Sequence, residues 1–401
     1  MIVVLRLVSI VFAVALSAPV ALARDLSEAD YLAAFHSRHP ARAVLDEPVG
    51  RAVGDLRASG ALSNPIAAWE RESPGDVDQD TWSVIWTPPF DGRRSARKGA
   101  AQAELEAARG ERSLADAELR TSLREAFADW ALSDERTAIL SSHTARLRQL
   151  VARTSEQARL GQSSRLAAQR IELAVLEIEA DAARADADRL GARAAAASWL
   201  GAEEDDVSPI RPPLPVESAP ADATDTPAIG VRRLQLTAAE AERKSSGRFI
   251  EFPSLMLGWQ TVEGAGVNAS GPVFGVAWSV PLFDREQGGR EASTAAVLAS
   301  QARLDLETAR VSATLAASIE RYARLRDAAL ATMEAALIGD AVLESAAARF
   351  ELGESDVTEL LETVRGVLSA RLAALDLYGD ALAAHRAVEI LIGRSWATEA
   401  E

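Results

Sequence analysis

The run VFGVAWSVPLFDREQGG, residues 273–289, passes from a β-prone stretch through a proline and a Phe-Asp pair into a long Ala-rich helical pattern. A second, degraded copy, TWSVIWTPPFDGRR, occupies residues 81–94. The alternation of Val276, Trp278 and Val280 suits a strand with one face on lipid or core. Pro281 removes the backbone donor that would let the sheet continue. Asp284 is placed to cap the following helix, with Gln287 three residues on completing a capping box. Pro88 and Asp91 hold the matching places in the first copy.

Working outward, residues 26–39 and 41–58 read as short helices, and residues 64–73 and 81–89 as strands around the turn-rich loop PGDVDQD. A helical pattern then runs from residue 91 to about 159, roughly 68 residues or about 100 Å at ~1.5 Å each. Gly161 interrupts it, and a second helix covers residues 164–200. Residues 202–227 hold six of the sixteen prolines and read as an extended linker. The plan then repeats: a helix over 228–246, strands over 252–263 and 273–282 around GAGVNASGP, and a helical hairpin over 284–392, with a tail at 394–401. Leu105 and Val297, Leu119 and Val311, Leu123 and Leu315, Phe127 and Ile319, Trp130 and Tyr322, and Gly161 and Gly353 are each 192 positions apart. The chain is thus two tandem repeats, 24–201 and 228–393. Leu105, Arg112 and Leu119 recur every seven residues, the period of a left-handed helix seam.

The 401 residues are 48% hydrophobic and 25% charged but only 5% aromatic, which favours long helices with small residues at their seams over a bulky globular core. A net charge of -16 argues against nucleic acid as a partner. The absence of Cys excludes disulfides, thiolate metal sites and a lipidated N-terminal Cys. Arg6, the apolar residues 7–22 and the Ala21-Leu22-Ala23 box read as a signal peptide over 1–23. No later run is long enough for a spanning helix, so an exported chain of this kind is either soluble in the periplasm or a β-barrel.

Five of the eight tryptophans, Trp69, Trp82, Trp86, Trp259 and Trp278, fall in the four candidate strands. Tryptophan gathers at the water–lipid boundary of membrane barrels, whereas a small soluble sheet would bury it. Four strands cannot enclose a conducting lumen; two chains would give a filled eight-stranded barrel and three a twelve-stranded one with a passage.

VPLFDREQGG resembles the junction motif of the outer membrane efflux family, the TolC-like ducts, and is most similar to the branch serving heavy-metal resistance pumps of the cobalt-zinc-cadmium type. Asn64-Pro65 in LSNPIAAWE resembles the pair that opens the first strand in that branch. The resemblance implies a mainly α protein with a membrane β part: a homotrimer whose twelve-stranded barrel, four strands per chain, continues into a periplasmic tunnel of twelve helices. It also implies outer-membrane lipid around the barrel, a periplasmic adaptor, an inner-membrane RND-type transporter and a Gram-negative outer membrane.

Residues 349–362, RFELGESDVTELLE, are similar to the inner-helix turn at the periplasmic tip of such ducts. The resemblance sets an acidic pair that rings the entrance on Glu359 and Glu362; the first repeat has Ala167 and Arg170 there. Asp356 and Glu359 also form a capping box, so the pair has a purely structural reading too. His36, His39, His143 and His385 are scattered, with His36 and His39 reading as a solvated pair, and no nucleophile elbow, phosphate loop or zinc motif occurs. The expectation is a passive duct, with no enzyme activity, cofactor or resident metal. Its cargo is heavy-metal cations, or else drugs, other small molecules or secreted protein. A soluble coiled-coil adaptor is the alternative of a different class.

Overall fold

The computed structural model describes residues 24–90, 92–161, 164–200, 207–215, 226–246, 252–264, 266–278, 280 and 286–392. The leader, Asp91, Pro281 and Asp284 lie outside them. In chain order the elements are β1 (Arg24–Leu26), α1 (Glu28–Arg38), α2 (Ala41–Ser59), β2 (Ile66–Glu72), β3 (Val77–Trp86), α3 (Arg93–Arg159), α4 (Arg165–Leu200), β4 (Val207–Pro209), α5 (Pro227–Ser245), β5 (Ser254–Gly264), β6 (Val267–Ala277), α6 (Gln287–Leu337), α7 (Gly339–Glu351) and α8 (Val357–Ile392). No helix among the described residues is long and apolar enough to cross a membrane.

Two layers share one direction. At one end β2-β3-β5-β6 form an antiparallel sheet, each strand pairing with the next. From its foot the helices run away as parallel rods. Near the sheet α2 and α5 flank α3, and α5 also packs on α6; farther away α4 and α8 flank α3, and α8 packs on α6 and α7. The long helices are thus covered by α2 and α5 along one half and by α4 and α8 along the other. The order α4-α3-α8-α6 alternates in direction, as does β2-β3-β5-β6.

Burial follows the repeat. Leu123 and Phe127 of α3 and Val311 and Tyr322 of α6 are fully buried, and Leu105, Trp130 and Leu315 nearly so. The seam residue Leu105 packs with Ala52 of α2, and Arg112 reaches Asp46 at 3.0 Å. Gly161 and Gly353 both adopt positive φ, +74° and +76°, closing α3 and α7 with left-handed caps.

Five expectations are corrected. The strand placed at 273–282 runs instead from Val267 to Ala277, and the one placed at 81–89 starts at Val77. Their Gly, Asn, Ser and Asp residues read as loop, but neighbouring strands supply ladder partners and tight turns at Gly75 (φ +66°) and Gly266 (φ +78°) suffice. Trp278 therefore lies just past β6. The linker at 202–227 is not merely extended: β4 pairs in parallel with β1, and the Pro212 and Pro215 carbonyls accept hydrogen bonds from the Tyr378 and Tyr322 hydroxyls at 2.7 and 2.5 Å. The second long helix is divided at Ile338, where α6 gives way to α7. His36 and His39 are not a solvated pair: His39 stacks on Phe35 at 4.7 Å, and His36 Nδ1 lies 2.9 Å from the Leu32 carbonyl.

Candidate membrane belt and duct entrance

Register defines the two faces of the sheet, because side chains alternate along every strand. One face carries a row Trp69, Trp82, Trp259 and Pro272 across all four strands. The three indoles are 54%, 63% and 52% exposed, and Trp69 and Trp82 lie 5.9 Å apart between ring centres. Toward the helices the next rows on this face are Ala67, Val84, Leu257 and Phe274, then Trp86, Leu255 and Val276. Away from the helices the same face turns polar at once, with Arg71, Asp80, Thr261 and Ser270, and the Trp69 indole donates to Asp80 at 3.2 Å.

A second aromatic level lies at the foot. Trp86 donates to the Ser63 carbonyl at 3.2 Å, exposed Phe90 meets Phe252 edge-on at 5.3 Å, and Trp278 is 58% exposed. From Trp259 to Phe252 is roughly 23 Å along the strand at ~3.3 Å per residue, close to the height of a barrel's apolar band.

The opposite face is small and polar over most of its height: Ala68, Ser83, Gly258 and Val273 in one row, Glu70, Thr81, Gln260 and Gly271 in the next. Gly258 is required, since a Cβ there would come 2.5 Å from the Trp82 carbonyl oxygen. Of the junction residues, Pro88 is buried at the foot of β3, while Asp91, Pro281 and Asp284 fall outside the described residues.

At the far end of the rods Asp356 caps α8, its Oδ1 accepting from the Glu359 amide at 2.8 Å. The Glu359 carboxylate is held by Arg349 at 2.8 Å. Glu359 and Glu362 both point away from the core, which takes Leu360, Leu361 and Val364. Arg170, opposite the acidic pair in the first repeat, donates to Thr358 at 3.1 Å. A groove of about 480 Å³ lies between the two helical turns, lined by Leu166, Arg170, Phe350, Leu352 and Val357 among others.

Midway, a cluster of buried charges joins the halves. Arg124 of α3 is paired with Glu389 of α8 and lies 3.1 Å from Glu28 of α1. Arg386 reaches the same Glu28 oxygen at 3.4 Å. His385, beside them against Tyr322 at 4.9 Å, is pushed down to about 4 by burial. No group of three or more His, Asp or Glu among the described residues is arranged to hold a metal ion.

Neither a protein-family model nor a curated protein matches the sequence. Solved structures do match over nearly the whole chain. A membrane protein from Pseudomonas aeruginosa superposes with a TM-score of 0.77 at 16% identity, over 94% of this chain and 92% of that one. The MtrE outer membrane channel of Neisseria gonorrhoeae, in its open state, gives 0.73 at 17% identity over 91% and 88%. The VceC outer membrane protein of Vibrio cholerae gives 0.72 at 16% over 92% and 96%. The chain has the TolC-like channel fold.

Within the TolC-like fold, two features of the site escaped the sequence reading. Arg349 sits ten positions before its partner Glu359, across a turn whose closure only the structure supplies. Glu104, Glu111, Glu118 and Glu125, exposed on α3, recur every seven residues one position before the seam of Leu105, Arg112 and Leu119. That ladder was visible in the spacing. On another face of α3 charges are paired, Glu106 with Arg109 and Asp116 with Arg120, each at 2.8 Å.

Proposed function

We propose that this chain is the outer-membrane exit duct of a three-part efflux pump, acting as a homotrimer with a twelve-stranded barrel. The observation that carries this reading is the four-stranded sheet: one face apolar, edged by tryptophan and exposed, the other small and polar over most of its height, and the edge strands β2 and β6 each paired on one side only among the described residues. Water suits neither the apolar face nor the open edges. Lipid satisfies the first and neighbouring chains the second. The helical layer has the same need, with exposed leucines on its outer rods, Leu173 and Leu190 on α4 and Leu306 and Leu337 on α6.

In this reading Trp69, Trp82 and Trp259 sit at the outer water–lipid boundary and Trp86 and Trp278 at the periplasmic one. Glu359 and Glu362 ring the periplasmic entrance, where six carboxylates from three chains favour cations. A periplasmic adaptor docks at the tip around the exposed Leu160, Leu166 and Leu352, and an RND-type inner-membrane transporter supplies the energy. Divalent metal ions are the cargo, a reading supported by the junction motif and by the exposed glutamates of α3, Glu104, Glu111, Glu118 and Glu125.

Membrane fractionation and gel analysis of unheated protein test the duct: a trimer that collapses to monomer on heating is expected, and a detergent-free soluble monomer overturns the reading. For the cargo, a deletion strain should become sensitive to cobalt, zinc and cadmium. Sensitivity to dyes or antibiotics alone, or a secretion defect, reassigns it.

A further inference from the structure

The two repeats carry opposite charge at equivalent places on their long rods. By the 192-residue offset Glu111 of α3 matches Arg303 of α6, Glu118 matches Arg310, and Asp129 matches Arg321. All six are exposed. On α3 they share one face with Glu104, Ser122 and Glu125, and on α6 with Ala296, Thr314 and Ala317, because steps of three, four and seven residues return to the same side of a helix. Glu111 also accepts from Gln235 of α5 at 2.5 Å, and Arg310 is partly offset by Glu307 at 2.8 Å. One rod is thus acidic and the other basic over the same length.

The stripes act separately. α5 and, farther from the sheet, α8 lie between α3 and α6, so two interaxial steps of ~9 Å set them about 18 Å apart. Physiological salt screens exposed charges beyond ~8 Å. Each stripe therefore keeps its own field.

The rods also have a covered side and a bare one. α1 packs through Tyr31 and Phe35 on Leu123, Phe127 and Trp130 of α3, and the segment after β4 takes the Tyr322 hydroxyl of α6 on its Pro215 carbonyl. Trp130 and Tyr322 are equivalent, so both coverings lie on the same side. At ~100° per residue the acidic stripe lies about 130° round α3 from its α1 contacts, and the basic stripe about 105° round α6 from Tyr322. A ring of rods that keeps a passage has room for the added layer only outside, which turns the stripes inward.

We infer that the wall of the passage is charged in alternating stripes, acidic on each α3 and basic on each α6, giving ions of both signs a track. Cations moving alone would build up charge along a narrow passage; with a basic track beside them, cargo cations leave accompanied by small anions. This deepens the duct reading and rests on it.

Ser122 and Thr314 are equivalent and exposed, one turn from Glu118 and Arg310 respectively, and the chain has no Cys of its own. In the full-length protein in detergent, Ser122→Cys and Thr314→Cys are treated with a cationic and an anionic methanethiosulfonate of similar size. The cationic-to-anionic rate ratio should be about fivefold or more higher at Ser122→Cys in about 0.15 M salt, and the two ratios should converge in about 1 M. Arg310→Glu with Arg321→Glu should raise the ratio at Thr314→Cys to that at Ser122→Cys. Equal ratios at the two positions, or no response to that reversal, overturn the stripes. In planar bilayers modification at either position should lower conductance, and Arg303→Glu with Arg310→Glu and Arg321→Glu should shift the reversal potential in a KCl gradient toward cation preference. If the ratios differ but neither conductance nor reversal potential responds, the stripes lie outside the passage, and the inference fails while the duct stands. If the wild type forms no channel, the duct reading itself is lost and this inference with it.

Discussion

Glu359 is held at both ends, its amide by Asp356 and its carboxylate by Arg349. Asp356→Ala removes the cap and should cost about 1 kcal/mol at the start of α8, seen as faster hydrogen exchange over residues 357–361. Glu359→Gln with Glu362→Gln should raise conductance and leakage in a planar bilayer if the pair guards the entrance; unchanged conductance removes that role. His385 sets a different test. Burial lowers its folded-state value from 6.5 to about 4, so between those values the unfolded chain binds more protons and stability falls as pH drops from about 6.5 toward 4. Below that range this residue adds no further loss. Denaturation midpoints of the wild type and His385→Gln should diverge across the window and run parallel outside it. The Asp356–Glu359 cap was legible because its residues are neighbours in a quotable motif. The buried cluster was not, since Arg124 and Glu389 are 265 positions apart and Glu28 and Arg386 are 358.

Strands and helices differ in how openly the sequence states them. Helix periodicity marked α3 and α4 to within a few residues, because seven-residue recurrence survives over many turns. The four sheet strands were legible in their middles, three of which carry tryptophan, and lost at their outer ends, where Asp78 pairs with Arg71 at 3.1 Å and side chains that read as loop serve a ladder above the apolar rows. Close approach inside the sheet is sharply testable. Gly258→Ala drives a methyl against the Trp82 carbonyl, while Gly271→Ala, facing the same side, meets nothing within 4 Å. The first should reduce the heat-modifiable oligomer several-fold in membranes, and the second should leave it intact.

For the molecule as a whole, duplication was readable as the 192-residue spacing, but the division of one long rod at Ile338 was not, since α6 and α7 share an unbroken Ala-rich pattern. The edges of the chain are unlike each other, α4 and β2 on one side, α6 and β6 on the other, so the proposed trimer would join them head-to-tail. Leu173→Glu with Leu190→Glu spoils one edge, and Leu306→Glu with Leu337→Glu the other. Each variant alone should be monomeric by light scattering in detergent, yet mixing the two should yield dimers joined through the intact edges and no trimers. Trimers from either variant alone would mean that these faces are not the contact.

The parallel pairing of β1 with β4 has a practical corollary for attachment. Leu26 packs with Phe127 and Trp130, and Phe127 lies 34 residues along α3 from Arg93, roughly 50 Å from the foot of the sheet. Anything fused ahead of Arg24 therefore emerges at the waist of the rod. An acyl chain grafted there would hang far short of the sheet, at the middle of the helical layer.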